Sequence, residues 1–283
     1  MNRGRHFAFW VILASLMVAG IWLWMRAHAP QTQGEAIGGG DAGGLPRAQA
    51  STEGFDATPL QAAVDWAAKE RAGALLITHH GHLVIERYSD DVNADSLVEG
   101  GAVSDALVLL AAGIAVPQHG LALPSAEPLD TAQLSAAIAK ASARSFPQFL
   151  SRNIWQPLNA APARWSESQV SARAVDWLRV AELLLHDGRF EGTQVLPSGW
   201  AAHVHLLHTA PGAEPFADND MRYLNGRGAT RLWLSTRFDL AIFSVSGKAL
   251  SADETRLPNM IVRALRERPG VTGTSLNDLV PGH

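Results

Sequence analysis

Serine, lysine, tyrosine, histidine and the carboxylates are the residues with which this chain could do chemistry, and its 283 residues include no cysteine. Disulfides, zinc–thiolate centres and cysteine nucleophiles are thereby excluded. A serine nucleophile needs a partner that eases loss of its proton. A lysine three residues on, one helical turn away, is one such partner. The lysines are Lys69, Lys140 and Lys248, and three residues before them stand Trp66, Ala137 and Val245. No Ser-x-x-Lys therefore occurs. Ser104 precedes a long apolar run, which predicts a helix N-cap. Its alternative role is an unorthodox nucleophile with Asp105 as proton acceptor.

Histidines supply the other candidates. His203, His205 and His208 form the most metal-like group. On a strand His203 and His205 would share a face and leave His208 to a turn. The nearest carboxylates, Glu214 and Asp218, lie across a Pro/Gly loop, so the ligand set is incomplete. His79, His80 and His82 flank a turn and read as exposed polar residues. Neither group is expected to hold a metal. No dinucleotide, Walker, zincin or G-x-S-x-G motif occurs, so no cofactor is expected.

The elements that must position these residues follow from hydrophobic periodicity. Helical spacing begins at Pro59 and continues through Leu60, Val64 and Ala67. ALLIT and LVIERY, around Gly81, predict a β-hairpin. Ala102 to Val116 is apolar almost throughout and too long for a strand, which predicts a buried helix closed by Pro117 and Gly120. Helices are predicted over 131–143 and 172–186, the second ended by Asp187-Gly188. ATRLWLS and LAIFSVS predict a second hairpin through Thr236 to Asp239, and a last helix is predicted over 253–266 with Pro258 inside it. Strands at both ends with helices between them predict an α+β domain whose antiparallel sheet joins N- and C-terminal strands.

Outside that domain the composition changes. Phe7 to Met25 carries no charge, and at about 1.5 Å per residue it spans roughly 28 Å, the thickness of a bilayer core. Trp10, Trp22 and Trp24 stand toward its ends, and Arg3 and Arg5 precede it, which predicts a cytoplasmic start at 1–6 and an extracytoplasmic remainder. Ala27-His28-Ala29 resembles a cleavage site. The apolar run is longer than a signal-peptide core, and Pro30 follows directly, so a retained anchor over 7–25 is expected. Residues 26–56, with Gly38, Gly39, Gly40, Gly43 and Gly44, predict a flexible linker. The domain is expected over 57–268 and a loosely ordered tail over 269–283. A net charge of −4 supplies no electrostatic reason for nucleic-acid binding.

Several segments, in order, resemble the β-lactamase-related serine hydrolases. This superfamily includes class C β-lactamases, penicillin-binding DD-peptidases, esterases and 6-aminohexanoate-dimer hydrolases. GALLITHHGHLVIERY is similar to its opening hairpin, ALVLLAAGIAVPQHGLAL to its nucleophile helix, and SFPQFLSRNIWQPLNA to its "f..yl...i..PLG" stretch. SARAVDWLRVAELLLHDGRFEGTQVLPSGW is the closest match, and GRGATRLWLSTRFDLAIFSVSG is similar to the terminal hairpin.

The resemblance implies acyl transfer by Ser-x-x-Lys, a Tyr-x-Asn proton shuttle and a Lys-Thr-Gly or His-x-Gly motif on the terminal strand. Alignment on Gly113 to Val116 places Ala102 at the nucleophile position and Asp105 at the lysine position. No tyrosine lies between Gly120 and Phe146, and that interval is short, implying a shortened helical subdomain. Tyr223-Leu224-Asn225 matches the tyrosine motif in letters but lies just before the terminal strand. Arg227 stands in the histidine slot, keeping charge but not a group that titrates near neutral pH. The expectation is a pseudoenzyme at the inner membrane, facing the periplasm. It would bind another envelope protein or a peptidoglycan-like ligand. The alternative is a serine hydrolase with a rearranged site that uses Ser104.

Overall fold

The computed structural model describes residues 34–70, 72–89, 91–123, 130–204, 208–209, 221–224, 230–246 and 256–266. The expected anchor over 7–25 and the tail over 269–283 lie outside the described residues. The chain divides into Met1–Gly34 and Glu35–His283, and the elements below belong to the second unit.

A six-stranded antiparallel sheet organises that unit, in the order β3-β2-β12-β11-β10-β9. β2 (Ala72–His79) and β3 (His82–Tyr88) form the opening hairpin. β9 (His208–Thr209), β10 (Arg222–Leu224), β11 (Thr230–Ser235) and β12 (Leu240–Ser246) come from the C-terminal part. β12 pairs β2 from Leu240↔His79 to Ser246↔Ala72, so the first and last parts of the chain meet at mid-sheet. The α+β expectation and both predicted hairpins are found here.

Alternation along the strands divides the core in two, because successive side chains point to opposite faces. Leu76, Leu232, Leu234, Ala241 and Phe243 face one cluster. It is shared with α2 (Ala102–His119), α3 (Thr131–Ser142), α4 (Phe146–Leu150) and α5 (Ala174–Leu185). Leu75, Ile77, Trp233, Leu240 and Ile242 face the other, shared with α1 (Ala57–Lys69) and α6 (Arg256–Arg263). A second, four-stranded sheet runs β1-β5-β6-β4, from β1 (Glu35–Ile37), β4 (Leu97–Glu99), β5 (Ala163–Ser166) and β6 (Gln169–Arg173). A short hairpin, β7 (Arg189–Phe190) and β8 (Thr193–Gln194), follows α5.

Among the described residues α2 is the one helix long and apolar enough to cross a membrane. Its residues from Ala102 to Ala115 are almost all buried inside the domain, so it is the core helix that its uniform apolarity predicted. Pro117 sits in its last turn, and Gly120, at φ +64°, closes it. Gly113 permits close approach: a Cβ there would lie 2.3 Å from the ring of Trp200, whose Nε1–H donates to Leu109 O at 2.9 Å.

Two expectations are corrected. The flexible linker over 26–56 does not describe residues 35–56. β1 pairs with β5, and Ile37, Leu45 and Phe55 are buried. The glycines there serve packing rather than mobility. A Cβ on Gly39 would lie 2.6 Å from Ala160 O, and Gly40 N–H donates to that same carbonyl at 2.9 Å. Buried Arg179 of α5 holds the segment as well, donating to Gly43 O and, at 2.7 Å, to Leu158 O. Secondly, Ser104 does not cap α2. Gly101 occupies that position, and Ser104 lies inside the first turn.

Candidate functional site

The resemblance implies a nucleophile position at the N-terminus of α2, and the structure shows how that turn is built. Two glycines shape it. A Cβ on Gly100 would lie 2.4 Å from the ring of Trp177, so the strand-to-helix turn rests on that indole. Trp177 Nε1–H donates to Val98 O at 3.1 Å, fixing β4 against α5. Gly101 adopts φ +53°, ψ −126°, a conformation that needs a residue without Cβ. On the sheet side, Thr230 Oγ1–H donates to Glu99 O at 2.5 Å, closing the start of β11 against the end of β4.

The side chains there are buried or engaged in hydrogen bonds. Ala102 is buried and offers no nucleophile. Ser104 is 0% exposed, and its Oγ accepts the Val170 N–H at 2.8 Å, which ties α2 to β6. Asp105 accepts from Thr131 Oγ1 at 3.1 Å and Gln169 Nε2 at 3.1 Å, joining α2 to α3 and to β6. Tyr223 packs against the α1/α6 face of the sheet, opposite the face that carries α2. Its Tyr-x-Asn lettering thus has no bearing on this position. Arg227 lies outside the described residues.

The histidine expectations divide. His203 ends a short 3-10 turn and His208 begins β9. Their side chains, and all of His205, lie outside the described residues. Of His79, His80 and His82, expected to be exposed polar residues, His80 is exposed and His82 is partly exposed, but His79 is not. His79 is buried at 6% exposure because β12 and Phe55 cover the end of β2. All three rings turn one nitrogen toward Glu53. Glu53 Oε2 lies 3.3 Å from His80 Nδ1 and 3.7 Å from His79 Nδ1, and Oε1 lies 3.3 Å from His82 Nδ1. Burial and the adjacent His80 push the His79 pKa down.

A second cluster lies beside it. His186 Nδ1 is 3.2 Å from Glu182 Oε2, and His186 Nε2 is 2.8 Å from Asp239 Oδ1. Thr78 Oγ1–H donates to Glu182 Oε1 at 2.8 Å. Hydrogen bonds to Asp239 and Glu182 push the His186 pKa up to about 10, and His186 holds the Asp239 carboxyl below its usual range. Both ring nitrogens are therefore committed to carboxylates. Between the hairpin turn and α5 opens a cavity of about 430 Å³, walled by His80, His82, Glu182, His186 and Phe190.

These clusters and the α2 position occupy opposite ends of the sheet. His79 pairs with Leu240 at one end and Thr230 pairs with Val245 at the other. Along β11 the separation is about 17 Å at ~3.4 Å per residue. Glu53 carried no sequence signal, since it lay in a stretch that read as linker. Glu182 and His186 were legible only as an i, i+4 pair, and Asp239 as a turn residue.

No protein-family model matches the sequence, and no curated protein sequence matches it. Solved structures do match in shape. A Bacillus anthracis protein assigned as a 6-aminohexanoate-dimer hydrolase superposes with a TM-score of 0.64 at 15% identity, covering 85% of this chain and 92% of that one. A Bacteroides dorei protein assigned as a β-lactamase gives 0.56 at 12% identity, covering 75% and 100%. The D-alanine carboxypeptidase AmpC of Burkholderia cenocepacia gives 0.53 at 13%, covering 77% and 100%. With its N- and C-terminal strands joined in one sheet and its core helix starting behind Gly100-Gly101, the chain has the β-lactamase and penicillin-binding-protein-like serine hydrolase fold.

Proposed function

We propose that this protein is a membrane-tethered, non-catalytic relative of the β-lactamase-like serine hydrolases. It acts by binding in the cell envelope, on the extracytoplasmic side of the inner membrane. One observation carries the non-catalytic reading. The hydroxyl on the first turn of α2 belongs to Ser104, which is fully buried and spends its oxygen on the Val170 N–H. An oxygen in that state is shielded from an acyl donor, and Asp105 beside it supplies no oxyanion stabilisation. Ala102 and Asp105 replace the nucleophile and the amine at the positions implied by the resemblance. Without such groups the residual rate falls by orders of magnitude.

The tether rests on the uncharged run from Phe7 to Met25 with arginines before it. The partner class follows from location: another envelope protein, or a peptidoglycan-like ligand in the remnant cleft beside α2. Function resides in the site rather than the fold, and this site retains a shape without its reactive groups.

The test is intact-mass spectrometry of the full chain in detergent after incubation with a fluorophosphonate and, separately, with a penicillin. The expected result is no adduct in protein shown to be folded by circular dichroism. A stoichiometric adduct would overturn the proposal in favour of a rearranged hydrolase, and the peptide carrying the mass would name the serine.

A further inference from the structure

We propose that Glu53, His79 and His80 form a binding site for one divalent transition-metal ion, Zn²⁺ by donor preference, clipping the segment before α1 to the β2–β3 turn. The inference is independent of the hydrolase-like site, which lies at the other end of the sheet.

Geometry comes first. In a tetrahedral zinc site, metal–ligand bonds of about 2.0–2.2 Å set neighbouring donor atoms about 3.3–3.6 Å apart. Glu53 Oε2 stands 3.3 Å from His80 Nδ1 and 3.7 Å from His79 Nδ1, and the three donor atoms lie within 4.8 Å of one another. Imidazole with one carboxylate oxygen is a donor set that suits zinc and its first-row neighbours. His82 Nδ1 lies 3.3 Å from the other oxygen, Oε1, without a hydrogen bond to it.

The second observation is an orphaned nitrogen. His79 is more than nine-tenths buried, and its Nδ1 has no hydrogen-bond partner although it points at Glu53. Leaving a buried polar atom unpaired is costly, and native structures rarely do so without a reason. An ion between Nδ1 and Oε2 satisfies it. Phe55 packs edge-on to the His79 ring at 5.1 Å, and Asp239 O accepts the His80 N–H at 2.9 Å, so both donors are held in place.

Backbone conformation is the third. His80 and Gly81 form the two-residue turn of the hairpin, with φ +50° and +74°. Such turns favour Asn-Gly, and a histidine there is held in a left-handed conformation that its side chain disfavours. Strain of this kind collects at functional positions. A cavity of about 500 Å³, walled by Thr52, Glu53, His79, His80 and Phe238, opens onto the cluster and gives the ion a path and a solvent-facing fourth position. The neighbouring Glu182–His186–Asp239 group lacks these marks, because both nitrogens of His186 are already bonded to carboxylates.

The test uses the full chain, purified in detergent with a tag free of histidine, stripped with chelator and dialysed. Zn²⁺ alone is the probe, followed by calorimetric titration and by metal analysis after gel filtration. One equivalent is expected, with a rise in Tm on addition. His80→Asn puts the preferred residue into the turn, so its metal-free Tm should stay level or rise. Its zinc affinity should fall at least about 10-fold, the scale of losing a positioned partner, and further for a ligand. Glu53→Gln should behave likewise. Absence of uptake at micromolar Zn²⁺ would overturn the proposal. So would uptake that survives both substitutions, or uptake abolished by the combined His203→Ala, His205→Ala, His208→Ala variant.

Discussion

Ser104 Oγ accepts the backbone N–H of Val170 at 2.8 Å, joining the first turn of the core helix to the start of β6. The same first turn carries Asp105, which accepts from Gln169 on that strand and from Thr131 on α3. The turn's polar groups are used to hold α2, α3 and β6 together.

The Ser104→Ala variant should therefore be a stability variant. It leaves the buried Val170 N–H unpaired, a loss of about 1–3 kcal/mol. Urea denaturation should show a lower midpoint at unchanged slope, and labelling by a fluorophosphonate should be the same for both proteins. A loss of labelling in the variant would instead mark Ser104 as reactive.

Asp176 is fully buried on α5 between two arginines. Its oxygens lie 3.0 Å from Arg173 Nε and 3.2 Å from Arg179 Nε. Removing the carboxylate strands two cations, one of them buried Arg179, whose pKa burial already pushes down. Asp176→Ala should cost about 3–5 kcal/mol. Because Arg179 also donates to Gly43 O, protease cleavage of the 38–45 segment should accelerate at the same time.

Gly113→Ala should cost about 1–3 kcal/mol through overpacking, since the new methyl meets the Trp200 ring at 2.3 Å and the helix has no slack on that side. A shift in tryptophan emission should accompany the fall in Tm. Gly120→Ala meets nothing within 4 Å, so its cost should come from the left-handed φ alone, about 1–2 kcal/mol, with emission unchanged.

His186 sets a pH dependence. Its folded pKa is about 10 against 6.5 in the unfolded chain, raised by Asp239 first and Glu182 second. A raised pKa contributes stability fully below 6.5 and loses it as pH climbs toward 10. Asp239, held below 3.8, contributes above 3.8 and loses its share as pH falls through the lowered value. Stability from this cluster should thus decline from pH 6.5 to 10. His186→Gln should flatten that decline. The imidazole is more than a third exposed, so solvent screening keeps the amplitude small and the slope is the quantity to measure.

Much of the fold was legible from local pattern. The two hairpins, the uniform apolarity of Ala102 to Val116 and the helical periodicity of Ala172 to His186 are short-range signals, and each element formed, although Ala172 and Arg173 end β6 and the helix starts at Ala174. The resemblance to the hydrolases rested on their order along the chain. Residues 35–56 were misread for a physical reason. Gly38 to Gly40 are glycine because backbone lies against backbone at Asn159 to Pro162, and composition cannot distinguish that from a solvated tether.

The absence of a Ser-x-x-Lys motif was decided by the sequence by itself. With three lysines, none preceded by serine at i−3, and two tyrosines, no folding pattern could assemble the Ser-x-x-Lys pair, because that geometry is local to one helix turn. Charge, the absence of cysteine and the uncharged N-terminal run are likewise properties of composition. The tertiary structure decided which groups meet. Ser104 and Val170 are 66 residues apart in the chain, Glu53 and His79 are brought together only when β2 pairs with β12 beneath Phe55, and His186 meets Asp239 only when α5 packs on the turn before β12. Such contacts depend on sheet register and helix placement, which depend on burial summed over the whole core and leave no trace in the spacing of any one segment.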